Sequence, residues 1–146
     1  MKPTKWAERL MSTAAHVSEW SKDTTKVGAV LTDSAGKVVL LTAFNGPPRG
    51  VEDHDWRFDR AGGEKYFWIA HAEENIISEA ARRGIATEGM TVVCTHHPCS
   101  RCAGILVQAG ISRVIVGPGT TSMDEYEFHV AKTKFREAGV EVVQFD

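Results

Sequence analysis

Three residues of this 146-residue chain have the types and the spacing of a zinc site. His71 lies in the stretch IAHAEENII, and Cys99 and Cys102 form a C-x-x-C pair in HHPCSRC. Two thiolates and one imidazole are suitable ligands for Zn²⁺, and three protein ligands leave the fourth tetrahedral position open for water. The set therefore predicts a catalytic zinc centre and not a closed structural one.

Glu73 supplies a carboxylate two residues after His71. Two residues along an α-helix correspond to about 200° of rotation, so both side chains can reach one metal only from the first turn of a helix. A carboxylate placed there can accept a proton from water that the metal has acidified and return it to the substrate. We therefore expect hydrolytic attack on an unsaturated carbon, with Glu73 as the proton carrier.

The composition argues against several classes of function. Charged residues make up 25% of the chain and the formal net charge is -2, so we expect neither a stable nucleic-acid partner nor a membrane. The longest apolar runs are too short to span a bilayer, and the N-terminal segment does not resemble a signal peptide. We therefore expect a cytoplasmic protein. In a reducing compartment three cysteines, two of them at C-x-x-C spacing, indicate metal or redox chemistry and not a disulfide framework.

Hydrophobic periodicity predicts the elements that must position these residues. The predicted elements, in the order αββαβαβαβ, are helix 4–20, strands 26–32 and 37–44, helix 70–83, strand 90–95, helix 98–109, strand 112–117, helix 123–139 and strand 140–145. Repeated strand-helix-strand units predict one mixed sheet with helices on both faces. The Gly-, Pro- and charge-rich connection before the second helix is too long to be a mere connector, so we expect it to carry function.

The predicted elements bring the chemical residues together. Helices 70–83 and 98–109 both run antiparallel to strand 90–95, so their N-termini meet at its carboxyl end, where ligands bind in open α/β sheets. This places His71 beside the C-x-x-C pair despite the gap in sequence. The positive end of the helix dipole at this place favours both cysteines as thiolates.

Other interpretations use the same cysteines. A structural zinc site needs a fourth protein ligand, and His96 or His97 could serve only if the short segment before Pro98 folded back. A thioredoxin-like dithiol would leave His71 and Glu73 without a role. A non-catalytic, zinc-stabilised binding module would likewise gain nothing from an unliganded carboxylate.

At these residues the sequence resembles the cytidine and deoxycytidylate deaminase superfamily, and most of all the deoxycytidylate (dCMP) deaminases. H-x-E followed by P-C-x-x-C is the signature of zinc nucleobase deaminases. WSKDTTKVGAV is similar to the family's S-K-D before V-G-A, FNGPPRG to N-G-x-P-x-G, KYFWIAHAEENII to K-Y followed by H-A-E-x-N-A-I, and ILVQAGISRVIV to I-I-Q-A-G-I. Together these segments span most of residues 20–116.

The resemblance implies a single zinc-dependent deaminase domain over residues 1–146. Its fold would be the cytidine deaminase-like α/β fold, a three-layer α/β/α sandwich around a five-stranded mixed sheet. The implied reaction replaces the exocyclic amine at C4 of dCMP with water, giving ammonia and dUMP for dTMP synthesis. One catalytic Zn²⁺ per subunit would be bound by His71, Cys99 and Cys102, and Glu73 would shuttle protons.

The resemblance also implies which residues hold the nucleotide. The backbone at Ala72 would help to orient the pyrimidine, and Asn45 would hydrogen-bond the sugar. A monophosphate needs cations or hydroxyl groups near the far side of the sugar. The candidate cations are Lys22, Lys26, Arg49 and Arg57. We favour Lys22 and Arg49 because they lie inside matched motifs, with Ser21 beside Lys22 as a hydroxyl donor.

Departures from the family pattern limit what is carried over. Trp20 stands where an arginine often precedes S-K-D, and Val51 stands where some relatives have a cysteine for a second metal, so we predict no second zinc. Many relatives are hexamers controlled by dCTP and dTTP. The resemblance therefore implies a homo-oligomer, either a hexamer or a dimer, with these nucleotides as effectors accompanied by Mg²⁺.

We expect the segment 118–126 to border the mouth of the pocket.

Two related activities remain alternatives. A tRNA adenosine deaminase would also accommodate PCSRCAGILVQAGISRVIVG, but that family usually has E-P-C in place of residues 97–99 and lacks N-G-x-P-x-G. A deaminase of free cytidine nucleosides needs no phosphate clamp and usually has a shorter connection between its second strand and H-A-E.

Overall fold

The computed structural model of the protein describes residues 3–145 and contains one five-stranded sheet within them. The strands are β1 (Gly28–Thr32), β2 (Val39–Phe44), β3 (Thr91–His96), β4 (Arg113–Gly119) and β5 (Glu141–Gln144). Their order across the sheet is β2-β1-β3-β4-β5. β1 is antiparallel to both β2 and β3, whereas β4 is parallel to both β3 and β5. The predicted five-stranded mixed sheet is confirmed.

Helices cover both faces of this sheet. They are α1 (Lys5–Ser18), α2 (Lys65–Trp68), α3 (Ala72–Arg83), α4 (Ser100–Gln108) and α5 (Glu125–Glu137), with a short 3₁₀ helix at Asp55–Phe58. α1 packs on one face, and α3, α4 and α5 pack on the other. The arrangement is the predicted three-layer sandwich. Within residues 3–145, no helix combines the length and the apolar character needed to cross a bilayer, and the cytoplasmic location stays a prediction.

The two faces of the sheet bury two separate cores. On β3, Val93 packs on the side of Leu10 from α1, whereas Val92 and Cys94 pack on the side of Ile76 from α3. Successive side chains of a strand point to opposite faces, and here both faces are covered. The central strands β1 and β3 are therefore apolar and buried along most of their length.

The predicted helices and strands are all present, but several have different ends. The predicted helix 4–20 stops at Ser18, and the predicted helix 98–109 begins only at Ser100. Cys99 is the N-cap of that helix, with an extended backbone (φ -72°, ψ 175°). Hydrophobic periodicity locates the body of a helix, whereas the first and last residues depend on capping contacts that periodicity does not encode.

The connection 45–71 between β2 and α3 contains short helices and internal contacts. It contains the 3₁₀ helix and α2. The guanidinium group of Arg57 lies 3.8 Å from the ring centroid of Trp68, a cation-π contact within the connection. Gly46 and Ala70 form an isolated antiparallel bridge that joins the two ends of the connection. The connection therefore lies beside the start of α3.

Candidate functional site

The candidate zinc ligands lie at the starts of two helices that flank β3. His71 is the N-cap of α3, Cys99 is the N-cap of α4, and Cys102 lies in the first turn of α4. The Cys99 side chain bonds no amide of its own helix, and both Cys sulfurs lie within hydrogen-bond distance of His71 Nδ1. Both helices begin at the carboxyl end of β3, as the order of the elements predicts.

The three ligand atoms have the spacing of a zinc site. His71 Nδ1 lies 3.6 Å from Cys99 Sγ and 3.4 Å from Cys102 Sγ. All three atoms lie within 4.8 Å of one another. In a tetrahedral zinc site with ordinary bond lengths, a nitrogen and a sulfur ligand are about 3.5 Å apart. The donor atoms and their separations therefore fit Zn²⁺ at this place.

The two cysteine thiols differ in acidity. Hydrogen bonds with the Cys102 thiol and with His71 lower the pKa of Cys99 to about 4. The same hydrogen bond with Cys99, together with burial, raises the pKa of Cys102 far above its ordinary range. The hydrogen bond with Cys99 raises the pKa of His71 to about 9. Cys99 is therefore the more acidic thiol of the pair, and a bound Zn²⁺ would favour the thiolate form of both cysteines, because a thiol binds a metal as the thiolate.

Glu73 lies in the first turn of α3, beside the ligand cluster. Its side chain is 4% exposed, and it lines the same cavity as His71 and Cys99. Burial raises the pKa of Glu73 to about 7, against the opposing effect of His71. A carboxyl group with a pKa near the working pH can both accept and donate a proton. Glu73 therefore has the position and the acidity that a proton carrier needs.

An open cavity of about 720 Å³, mouth included, leads to this cluster. The predicted site residues that line the cavity are Asn45, His71, Ala72, Glu73 and Cys99. Thr121, Ser122 and Met123 also line it, which agrees with the expected position of the segment 118–126.

Asn45 is fixed in the cavity wall by its side-chain amide. Its Oδ1 accepts a hydrogen bond from the Val27 amide at 2.9 Å, and its Nδ2 donates to the Thr25 carbonyl at 2.8 Å. An amide side chain has two donor hydrogens and two acceptor lone pairs. One donor and one acceptor therefore remain for a ligand, and their direction is set by the two backbone contacts.

The predicted phosphate ligands lie elsewhere in the described part of the chain. None of the three is among the residues that line the cavity. Ser21 is buried, and its hydroxyl donates to a backbone carbonyl at 2.8 Å. Lys22 Nζ lies 3.2 Å from Asp53 Oδ2, and Arg49 Nη2 lies 3.1 Å from Glu79 Oε2. Each polar group already has a protein partner, so phosphate binding by these residues stays a prediction without support from their placement.

Sequence reasoning missed the polar residues at the mouth of the cavity. Arg60 and Lys65 come from the connection 45–71, and Asp23 and Thr25 precede β1. Asp23 and Lys65 lie within the matched S-K-D and K-Y motifs, but no motif assigns them a role. Arg60 lies in no matched motif, and only the folding of the connection shows that it faces the cavity.

The chain is similar to deaminases over nearly its whole length. Residues 4–118 match the family described as the cytidine and deoxycytidylate deaminase zinc-binding region. The chain is 39% identical to an uncharacterized deaminase in the luxG 3′ region of Aliivibrio fischeri, over 95% of this chain and 92% of that protein. It is 32% identical to deoxycytidylate deaminase of Homo sapiens, over 97% of this chain and 80% of that protein.

A solved structure has the same fold. The crystal structure of dCMP deaminase from the cyanophage S-TIM5, in complex with dCMP and dUMP, matches this protein with a TM-score of 0.77. The two sequences are 26% identical, and the match covers 99% of each chain.

Proposed function

Because the chain belongs to the cytidine and deoxycytidylate deaminase family, we propose that it hydrolyses dCMP to dUMP and ammonia in a zinc-dependent reaction. The likeness to a human deoxycytidylate deaminase and to a phage dCMP deaminase supports this substrate. The observation that carries the proposal is Glu73, a buried carboxyl group beside three zinc-ligand atoms in an open cavity. A zinc-stabilised binding module would have no use for it.

We assign the zinc ligands to His71, Cys99 and Cys102 within a single deaminase domain over residues 1–146. The spacing of their donor atoms supports the assignment. A bound zinc ion would act as a Lewis acid and make water a nucleophile at neutral pH.

Glu73 moves the proton in this proposal. Its carboxylate accepts a proton from the attacking water as the C–O bond forms at C4 of the cytosine ring, and it passes this proton to ring N3. The same group then carries the second proton from the new C4 hydroxyl to the amine, the C4–N bond breaks, ammonia leaves, and a C4 carbonyl remains. The pKa of Glu73, which burial raises to about 7, makes both transfers accessible near neutral pH.

We propose that two residues lining the cavity contact the nucleotide: Ala72 contacts the pyrimidine and Asn45 contacts the sugar. Ala72 is the first residue of α3, and a backbone N–H at that position has no partner within its own helix. That N–H is therefore suited to orient the pyrimidine. The remaining donor and acceptor of the Asn45 amide are suited to a sugar hydroxyl group, because both backbone contacts of Asn45 leave them unused.

Assembly and control of the enzyme are proposals of the same kind. We propose a homo-oligomer, either a dimer or a hexamer, because large apolar side chains such as Phe67, which is 85% exposed, lie on the surface. The N-G-x-P-x-G segment, residues 45–50, supports dCTP and dTTP as effectors with Mg²⁺. Light scattering and activity with and without these nucleotides test both proposals. A monomer whose activity ignores dCTP and dTTP would contradict them.

The reaction is tested by ammonia release from the purified, zinc-loaded protein. The substrates are dCMP, dCTP, deoxycytidine and a tRNA stem-loop that carries adenosine. We expect turnover of dCMP, and we expect Glu73→Gln to abolish it while zinc stays bound. Glu74→Gln is the matched control, because it makes the same change one residue further along and retains an acceptor for the His71 amide.

Three outcomes would contradict the proposed function. If the wild-type protein deaminates none of the cytosine substrates, the proposal is wrong. If it acts on the stem-loop alone, the protein is a tRNA adenosine deaminase. Preference for deoxycytidine over dCMP would favour the nucleoside enzyme.

A further inference from the structure

The mouth of the cavity contains a buried ion pair. Lys65 Nζ lies 2.9 Å from Asp23 Oδ2 and donates a hydrogen bond to Asp23 Oδ1 at 3.0 Å. The Lys65 side chain is 13% exposed and that of Asp23 is 1% exposed. Asp23 Oδ1 also accepts the amide hydrogen of Thr25 at 3.1 Å. The charge of Lys65 is therefore already balanced, and the pair fixes the position of Thr25.

Arg60 is a cation of a different kind at the same mouth. Its Nη2 donates to Thr25 Oγ1 at 2.6 Å, and its Nη1 donates to Ser122 Oγ at 3.3 Å. Among residues 3–145, the salt bridges that form do not include Arg60. The partners of its guanidinium group are neutral hydroxyls. Its positive charge therefore faces the cavity without a carboxylate to balance it.

Three separate segments meet at this guanidinium group. Thr25 precedes β1, Arg60 belongs to the connection 45–71, and Ser122 follows β4. Each hydroxyl group can rotate to donate a hydrogen bond, and a guanidinium group has five donors in a planar fork that matches phosphate. The group therefore has the donors and the charge that bind a phosphate monoester.

We propose that Arg60, with the hydroxyl groups of Thr25 and Ser122, binds the 5′-phosphate of the nucleotide and so makes the enzyme prefer a nucleoside monophosphate to the free nucleoside. The inference rests on the proposed deamination of dCMP. A single nucleotide would join the parts of the cavity: its base would lie at Glu73, its sugar at Asn45 and its phosphate at Arg60. Lys22 and Arg49 are unsuited to this role, because carboxylates already balance their charges.

The assignment is tested by measuring kcat and KM for dCMP and for deoxycytidine. We expect Arg60→Gln to lower kcat/KM for dCMP by about 10- to 100-fold, since a hydrogen bond to a charged group contributes a factor of that order. The loss should arise mainly in KM, and kcat/KM for deoxycytidine should not change. Arg60→Lys should give an intermediate loss, because it keeps the charge but not the fork. Ser122→Ala should give a smaller loss in the same direction.

Two further variants distinguish a phosphate contact at Arg60 from a contact at another arginine. Arg82→Gln is the matched control, since it removes one exposed arginine at the far end of α3, and it should change neither substrate. Arg49→Gln tests the sequence-based alternative. A selective loss of dCMP activity in Arg49→Gln but not in Arg60→Gln would overturn the assignment. An equal loss for both substrates in Arg60→Gln would also overturn it, because damage to the cavity wall would not depend on the phosphate.

Binding of the products distinguishes this assignment from the proposed function. Calorimetry of the zinc-loaded protein with dUMP and with deoxyuridine requires no turnover. If the wild type deaminates nothing, but Arg60→Gln weakens only dUMP binding, the phosphate site stands and the proposed function fails. If the wild type deaminates dCMP, but Arg60→Gln binds dUMP as tightly as the wild type does, the phosphate assignment fails and the proposed function stands.

Discussion

The four longer helices within residues 3–145 begin in two different ways. α1 and α5 are capped by their own side chains, since Thr4 Oγ1 and Asp124 Oδ1 each accept an amide hydrogen from the first turn, at 3.1 Å and 2.7 Å. α3 and α4 have His71 and Cys99 at the N-cap; His71 forms a capping box with Glu74, whereas the Cys99 side chain does not cap its helix. Histidine and cysteine are not among the preferred capping residues. The candidate zinc site therefore lies at two helix starts without a preferred capping residue, and α4 lacks a side-chain cap from its own N-cap residue.

Carboxylates from other positions accept backbone hydrogens at the starts of α3 and α4. Glu74 Oε1 accepts the amide hydrogen of His71 at 3.2 Å. Glu127 of α5 accepts the amide and hydroxyl hydrogens of Ser100 at 3.1 Å and 2.7 Å. The start of α4, and with it Cys99, is therefore held by a different helix. Where a candidate zinc ligand occupies the N-cap, another residue accepts the backbone hydrogens beside it. That residue helps to hold the zinc ligand in place.

The strongest test exchanges a ligand for a cap. Cys99→Ser removes a thiolate and introduces a residue that is preferred at the N-cap. We expect zinc binding and dCMP deamination to be lost. The zinc-free variant should nevertheless be as stable as the zinc-free wild type, or more stable by about 0.5–1 kcal/mol. Metal analysis, ammonia release and urea unfolding of the zinc-free proteins measure the three quantities.

Cys99→Ala is the matched control for that exchange. It loses the ligand as Cys99→Ser does, but it supplies no cap, so its zinc-free form should be less stable than that of Cys99→Ser. Normal zinc content in Cys99→Ser would show that Cys99 is not a ligand. Equal stability of the two variants would show that the N-cap of α4 needs no side-chain acceptor.

A smaller effect is expected when the supporting carboxylate is removed. Glu127→Ala leaves the backbone at Ser100 without its acceptor, so Cys99 should be held less firmly. We expect zinc affinity to fall by about 10- to 100-fold, the usual cost of losing a group that orients a metal ligand. Competition with a zinc chelator measures the affinity. Glu125→Ala is the control, because Glu125 lies in the same first turn of α5; an equal fall in both variants would contradict the supporting role of Glu127.

The helices and strands could be predicted from the sequence, because their buried residues recur with the period of a helix or of a strand. Both faces of β1 and β3 are covered, so side chains on both sides of these strands are buried. Their sequences therefore read as continuous apolar runs, which indicate where the strands lie. The structure of the connection 45–71 could not be predicted in the same way. Its order depends on the stacking of Arg57 on Trp68 and on the bridge between Gly46 and Ala70, which are contacts without a periodic signal.

The candidate site shows the same division. Zinc chemistry restricts the residue types and spacing of His71, Cys99 and Cys102, so a motif is enough to find them. A phosphate can be bound by almost any cation or hydroxyl group, and the fold decides which of them face the cavity. Arg49 lies in a matched motif yet pairs with a glutamate, whereas Arg60 lies in no matched motif yet lines the cavity. Phosphate contacts therefore require the structure.

Thr4→Ala tests a helix that is capped by its own side chain and lies away from the candidate zinc site. Thr4 caps α1, which packs on the face of the sheet opposite α3 and α4. We expect the free energy of unfolding to fall by about 1 kcal/mol, the typical effect of losing a side-chain cap. Zinc affinity and kcat/KM should not change. Urea unfolding and chelator competition test this, and a fall in zinc affinity as large as that of Glu127→Ala would remove the distinction between the two kinds of helix start.

The smallest expected effect is the pH dependence of the Glu127 contact. Hydrogen bonds from the hydroxyl and amide of Ser100 lower the pKa of Glu127 below its ordinary value of 4.5. A carboxyl group whose pKa is lowered by folding stabilises the folded state at pH values above the ordinary pKa, and the contribution is lost as the pH falls through the lowered value.

The variant Glu127→Gln measures that contribution, because it keeps the shape of the side chain but cannot ionise. The difference in unfolding free energy between the zinc-free wild type and this variant should be constant near neutral pH, and it should shrink as the pH falls below 4.5 and through the lowered pKa of Glu127. Because Glu127 is partly exposed, solvent screening keeps the difference small. A difference that persists undiminished at pH 3 would show that the start of α4 depends on the shape of the Glu127 side chain and not on its charge.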